Sequence, residues 1–225
     1  MDPLVSLAAA SIALVGTHFA LSHPLRAPLV GALGEGAFLG LYSLVAATCI
    51  VWMVAAFRAA PAGDLGAATG MAGWIVATML TLPAMVLFLG SLWKKPALPN
   101  PGAAQIGERT PSGVFAVTRH PMMWGFALWA LAHLALWWSW RTVIVAGATL
   151  ILSLVGARLQ DRKKRALMGV SWERWQAATS FLPRWGRLAG AGAMLWIASA
   201  VVWLFASWLH IPAGSGPAGV WRWLL

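Results

Sequence analysis

Long apolar runs alternate with short polar stretches along the whole chain. Six runs, roughly 3–22, 37–57, 67–92, 121–138, 141–157 and 190–209, are rich in Leu, Ala, Val and Trp. The only charged residue in any of them is Arg141, at the edge of the fifth. Crossing the ~30 Å hydrocarbon layer takes about 20 apolar residues as a helix, so each run predicts a membrane span. Strict apolar–polar alternation is absent, which argues against the strands of a membrane barrel. The first run has no basic segment before it and passes into "SHPLR" rather than a small-residue cleavage site. It is expected to stay as a helix rather than be removed as a signal peptide. The fold expected is therefore all-α, a single polytopic bundle of six helices over residues 1–225.

Composition agrees with that pattern. With 60% hydrophobic and 10% charged residues, and a mean hydropathy of +0.74, the chain cannot cover a soluble surface with polar groups. Its net charge of +10 invites a nucleic-acid partner, but the distribution of that charge points elsewhere. Thirteen of the sixteen Lys and Arg residues fall in alternate loops on one side: Arg26, Lys94, Lys95, Arg109, Arg119, Arg158, Arg162, Lys163, Lys164, Arg165, Arg174, Arg184 and Arg187. Only Arg58, Arg141 and Arg222 remain for the other. This asymmetry predicts both termini outside the cytoplasm, with the lipid bilayer rather than nucleic acid as partner. Cys49, the lone cysteine, lies mid-span and reads as packing.

The two large basic loops carry the remaining signals. Residues 94–120 are rich in Pro and Gly and long for a connector. Residues 158–185 begin basic and then predict an interfacial helix over about 171–182, with Trp172, Trp175 and Thr179 on one side and Ser171 as its cap. Pro83 predicts a kink in the third span. All six acidic residues, Asp2, Glu35, Asp64, Glu108, Asp161 and Glu173, fall in loops by these boundaries. Ion-coupled transport normally needs a carboxylate at membrane depth, so that function is disfavoured.

Four of the five histidines lie in two stretches, "THFALSHPLR" (17–26) and "TRHPMMWGFALWALAH" (118–133). His18 and His133 fall within spans, where a neutral imidazole needs a hydrogen-bond partner or a metal. One reading bonds each to a carbonyl of a neighbouring helix; the other makes them ligands. Zinc would want four ligands, whereas haem needs one or two axial histidines and an apolar slot between helices. On a helix, Met122, Phe126 and Trp129 fall within about 40° of His133, a stripe fit to line a haem or to pack a core. His120 stands at the start of the fourth span before Pro121, as a cap-like residue or a ligand. His23 and His210 lie near loops and are expected to be solvated.

On these residues the chain resembles the NnrU family of bacterial membrane proteins. The matching stretches are "THFALSHPLRAPLVGALGEGAFLGLYSLVA" (17–46), "TRHPMMWGFALWALAHL" (118–134) and "DRKKRALMGVSWERWQAATSFLP" (161–183). The resemblance implies a bacterial inner-membrane location and a link to denitrification and nitric oxide metabolism. A related enzyme, the plastid 15-cis-zeta-carotene isomerase, holds haem b on two histidines; by similarity these are His18 and His133. That enzyme has a redox-linked cysteine where this chain has Ala130, and a further histidine that this chain lacks between 23 and 120. Depth within the expected spans instead pairs His18 with His120. The segment 119–185 also resembles isoprenylcysteine carboxyl and phospholipid methyltransferases. There Arg119, His120 and Asp161 would lie on the side of an S-adenosylmethionine cofactor, with Gln160-Asp161 standing in for paired glutamates. The function expected is thus haem b binding in a redox, isomerase-like or nitric-oxide-linked role. Metal ligands would be His18 and His133, and Arg119, His120, Met122 and Trp129 would border the cofactor. The alternatives are a methyltransferase or a non-enzymatic assembly factor, and the ligand implied is small and lipophilic or gaseous.

Overall fold

The computed structural model describes residues 2–63, 65, 70–92 and 106–225. Asp64, the start of the third apolar run (67–69) and the loop segment 93–105 with Lys94 and Lys95 lie outside the described residues. Regular structure among the described residues is helical, in the order α1 (Pro3–Ser22), α2 (Arg26–Leu33), α3 (Glu35–Ala59), α4 (Gly70–Leu92), α5 (Val114–Val117), α6 (Pro121–Leu136), α7 (Trp140–Leu150), α8 (Gly156–Met168), α9 (Val170–Ala178), α10 (Ala193–Trp208) and α11 (Trp221–Leu224). A π turn, Ile151–Val155, joins α7 to α8, and a 3₁₀ turn, Trp185–Ala191, precedes α10. Contacts divide the chain into two compact units, 1–68 with 137–152, and 69–136 with 153–225.

In the first unit, α1 starts where its sequence directs. Pro3 fills the first helical position, and the Asp2 carboxylate accepts from the free N–H groups of Leu4 (2.8 Å) and Val5 (3.1 Å). Helix α1 packs on α3 and α7 through Leu7, Ala56 and Ala60, with Ile144 and Val145 alongside. Small residues at Ala56 and Ala60 let the backbones come close, which is how helices associate without a hydrophobic drive in lipid. Outside that seam, Ile12, Leu44, Ile50 and Val51 are exposed, as a lipid-facing surface requires.

In the second unit, α4 and α6 make the most extensive helix pair, and α10 packs against α4. Ala84, Leu87, Leu128, Val114, Val117 and Leu188 form its core. A smaller cluster of Ile106, Trp172 and Trp175 holds α9 against the end of the basic loop. Helix α4 runs on through Pro83 as a single element.

Four helical runs are long and apolar enough to cross a membrane: α1, α3, α4 and the continuous stretch Trp140–Met168. A fifth is added if Trp185–Ala191 and Ala193–Trp208, bent by 95°, are taken as one span. The six expected runs thus give four or five spans by length among the described residues. Helix α6 has 16 residues, about 24 Å at 1.5 Å per residue, less than the ~30 Å hydrocarbon layer. The fifth run outlasts its expected end at 157, because the "RLQDRKKRALM" that follows is made of good helix formers. Asp161, expected in a loop, is therefore on a helix.

The interfacial helix expected over 171–182 is Val170–Ala178. It ends at Thr179 in extended backbone (φ −114°, ψ 178°), with Pro183 close behind. Trp172 and Trp175 point inward, and Gly169 rather than Ser171 stands at its N-cap, with φ 52°. Ser171 instead accepts from the Gly107 N–H at 3.1 Å.

Close helix contact in the second unit turns on Gly125. A Cβ there would lie 2.9 Å from the Ala84 carbonyl and 3.3 Å from Phe88 Cβ, whereas one at Gly147 would meet nothing within 4 Å. Gly125→Leu should therefore force α6 off α4 and destabilise the protein by roughly 1–3 kcal/mol. Gly147→Leu should be close to neutral. Thermal unfolding of the two variants in the same detergent checks this contrast.

Candidate functional site

The second unit gathers its polar side chains at the start of α6. Two extended segments run past each other there. The Arg119 N–H donates to the Ser180 carbonyl and the Arg184 N–H to the Val117 carbonyl, both at 2.9 Å. Thr118, fully buried, donates its hydroxyl to the Phe181 carbonyl at 2.8 Å, and the Trp124 indole N–H reaches the same oxygen at 2.8 Å. The segment after α9 is thus strapped across the mouth of α6 by backbone and side-chain bonds together.

The strap and α8 converge on Asp161. Arg119 donates to its carboxylate from Nε (3.1 and 3.0 Å) and from Nη2 (2.7 Å), a forked contact of the kind guanidinium favours. His120 Nε2 lies 2.8 Å from the other edge, at Oδ1. A carboxylate can only accept, so the imidazole carries its proton on Nε2. Phe181 covers the group: its ring meets His120 edge-on at 5.5 Å, and the Arg119 guanidinium lies 5.4 Å from its centroid. Side-chain exposure is 2% for His120 and 12% for both Arg119 and Asp161, so water screens this cluster poorly.

Burial pushes the His120 pKa below its ordinary 6.5, outweighing the upward pull of the Asp161 carboxylate. Lys164 and Arg119 push in the same direction as burial. Neutral imidazole is therefore the form the fold favours. By backbone His120 is also the helix cap: its carbonyl accepts from the Trp124 N–H at 3.1 Å, the first bond of α6. Of the two readings of His120, cap or ligand, the backbone supports the cap.

The other sequence-derived residues are held differently. In the first unit, the Tyr42 hydroxyl lies 2.9 Å from His18 Nδ1 and 2.6 Å from Nε2, in a shallow apolar cleft lined by Leu14, Thr17 and Val45. In the second unit, His133 Nδ1 donates to the Trp129 carbonyl one turn earlier at 2.8 Å, and the two ring centroids lie 4.2 Å apart with the planes tilted by 39°. Met122 is half-buried, and Phe126 (41%) and Trp129 (39%) are exposed. The stripe through His133 is thus partly open, with Phe126 also edge-on to Phe88 of α4 at 5.4 Å. His210, like His133, donates Nδ1 to the carbonyl four residues back, that of Ala206 at 3.1 Å.

The structure thus brings Arg119 and His120 together with Asp161, and leaves Met122, Trp129 and His133 on a separate stripe of α6. Among the described residues, no three His, Cys, Asp or Glu side chains converge as a metal would require. Tyr42 and Phe181 went unnoticed in the sequence. Tyr42 is the only tyrosine, the one signal the sequence offers for it, but its partner lies 24 residues away.

Removing the carboxylate would leave Arg119 buried without a counterion. Asp161→Ala should cost about 3–5 kcal/mol, read as a loss of thermal stability. The pH dependence has a definite sign. Because the folded state depresses the His120 pKa, its contribution is present above 6.5 and is lost as pH falls through the folded value. His120→Gln should flatten that acid-side loss in unfolding measurements made between neutral and mildly acidic pH.

Comparison with curated proteins and with solved structures returned no match. The family model described as NnrU protein matches residues 6–217, nearly the whole chain. The chain belongs to the NnrU family.

Proposed function

We propose that this NnrU-family membrane protein binds haem b through intramembrane histidine and serves a redox role in the bacterial inner membrane. The observation that carries the reading is the state of His133. Its Nδ1–H is tied to the Trp129 carbonyl at 2.8 Å, which fixes the tautomer and leaves the Nε2 lone pair as a donor. Metal-ligating histidines are normally held in this way, by a carbonyl or carboxylate on the other nitrogen. Trp129, tilted against the imidazole at 4.2 Å, restricts its rotation, and the exposed apolar stripe of Phe126 and Trp129 offers a surface for a flat hydrophobic group. Bound there, haem would supply one-electron exchange, or gas binding where a ligand position is open.

The remaining histidines divide in their fitness. His120 has Nε2 committed to Asp161 and a ring only 2% exposed, which leaves its Nδ1 no open side, so it acts as an anchor for the mouth of α6. His18, the second ligand that the family resemblance implies, is engaged by the Tyr42 hydroxyl. It becomes a ligand only when that contact opens, so Tyr42→Phe should leave haem binding intact or strengthen it. Methyl transfer finds less support. The Asp161 carboxylate that would receive a cofactor's amino group is already taken by Arg119 and His120.

Absorption spectra of the oxidised and dithionite-reduced protein, purified from haem-sufficient cells, test the reading. A Soret band with sharp reduced α and β bands is expected, lost in His133→Ala and kept in Tyr42→Phe. A protein that stays colourless after haem supplementation overturns it, as does an unchanged spectrum in His133→Ala.

A further inference from the structure

Beside the Asp161 cluster, two cations have no carboxylate of their own. Asp161 is occupied by Arg119 and His120. Arg158 and Lys164 stand three residues before and three after it on α8, so they flank Asp161 by about 60° on either side of the helix. Among the described residues neither makes a hydrogen bond or an ion pair; each lies over an aromatic face instead. Arg158 is 5.9 Å from the centroid of Phe181, and Lys164 is 4.7 Å from that of Trp172. Lys164 is half-buried as well. An aromatic face stabilises a cation by only about 0.5–2 kcal/mol and leaves its N–H donors unused. The group thus holds three cations against one carboxylate, with two sets of donors still to be satisfied.

The chemistry that fits is a phosphate. Arg binds it through a fork of donors and Lys as a compact charge. Six residues of helix separate the two cations by about 9 Å along the axis and about 120° around it, a gap that a headgroup bridges only where both long side chains bend toward each other past Asp161. What surrounds them favours a lipid over a free anion. Leu167 and Val170 flank the Lys164–Trp172 pair in sequence, Leu182 and Trp185 follow Phe181, and all four are exposed. Free phosphate has no use for such a border, whereas acyl chains do. We propose that the Arg158–Lys164 face of α8 holds the phosphate headgroup of an anionic phospholipid, with its acyl chains against Leu182 and Trp185. This assignment does not depend on haem.

The contrast with diffuse attraction supplies the test. Arg162 and Arg174 are exposed cations on α8 and α9 without an aromatic seat, and would serve equally if only net charge mattered. Native mass spectrometry of the purified chain, mixed with dioleoyl phosphatidylglycerol or dioleoyl phosphatidylcholine, counts the lipids retained. The wild type should retain phosphatidylglycerol at least tenfold better. Arg158→Ala with Lys164→Ala should abolish that preference, and Arg162→Ala with Arg174→Ala should keep it. Exchanging the two cations, Arg158→Lys with Lys164→Arg, should also keep it, which guards against a variant that merely unfolds. Equal loss in both alanine pairs, or no preference in the wild type, overturns the site. Displacement of the lipid by millimolar inorganic phosphate would assign the seat to free phosphate and overturn the lipid.

Discussion

The second unit depends on satisfying one buried carboxylate. Asp161 lies on a helix otherwise crowded with Arg and Lys, and it is drawn inward rather than into solvent. A buried charge is costly unless paired and hydrogen-bonded, and here four contacts from Arg119 and His120 meet that demand. Each donor is itself held elsewhere. The Arg119 backbone is tied to Ser180, the carbonyl of His120 opens α6, and Thr118 between the strap and the mouth fixes Phe181 over the cluster. The pairing therefore joins α8, the mouth of α6 and the segment after α9 into a single polar anchor in a unit built from apolar helices.

The same requirement explains how differently the histidines serve. An imidazole in an apolar setting must place its N–H somewhere, and the partner chosen decides which nitrogen stays available. His120 gives Nε2 to a carboxylate, and its ring is 2% exposed, so the other nitrogen is closed off inside the fold. His18 has both nitrogens beside the Tyr42 hydroxyl. His133 bonds through Nδ1 to its own helix, so its outer nitrogen is a ligand without a task inside the fold. Function is read here from what each hydrogen bond leaves over.

Much of the helix layout was legible because apolar runs and caps are local signals. The first run, 3–22, is α1 as Pro3–Ser22, whereas the start of α9 was read at Ser171 and lies at Gly169. The extension of the fifth span to Met168 was missed because hydropathy ends at Ala157 while helix propensity does not. The expected short loop around Asp161 failed for the same reason. Of the site, Arg119 and Asp161 were legible only as the border of a cofactor, and His120 also as a cap or a ligand. That they satisfy one another depends on a separation of about forty residues that no local pattern encodes. Equally invisible was the choice of the Trp129 carbonyl by His133, since a histidine four residues after any residue can make that bond.

The account rests on a division between a locked His120 and an open His133, and chemical footprinting of imidazole tests it most directly. Protein made without haem would be treated briefly with diethyl pyrocarbonate, and the modified histidines located by mass spectrometry before and after haem is added. His133 should react while His120 stays protected, and haem should shield His133 alone. Reaction of His120 as fast as His133, or no shielding of His133 by haem, would contradict the account.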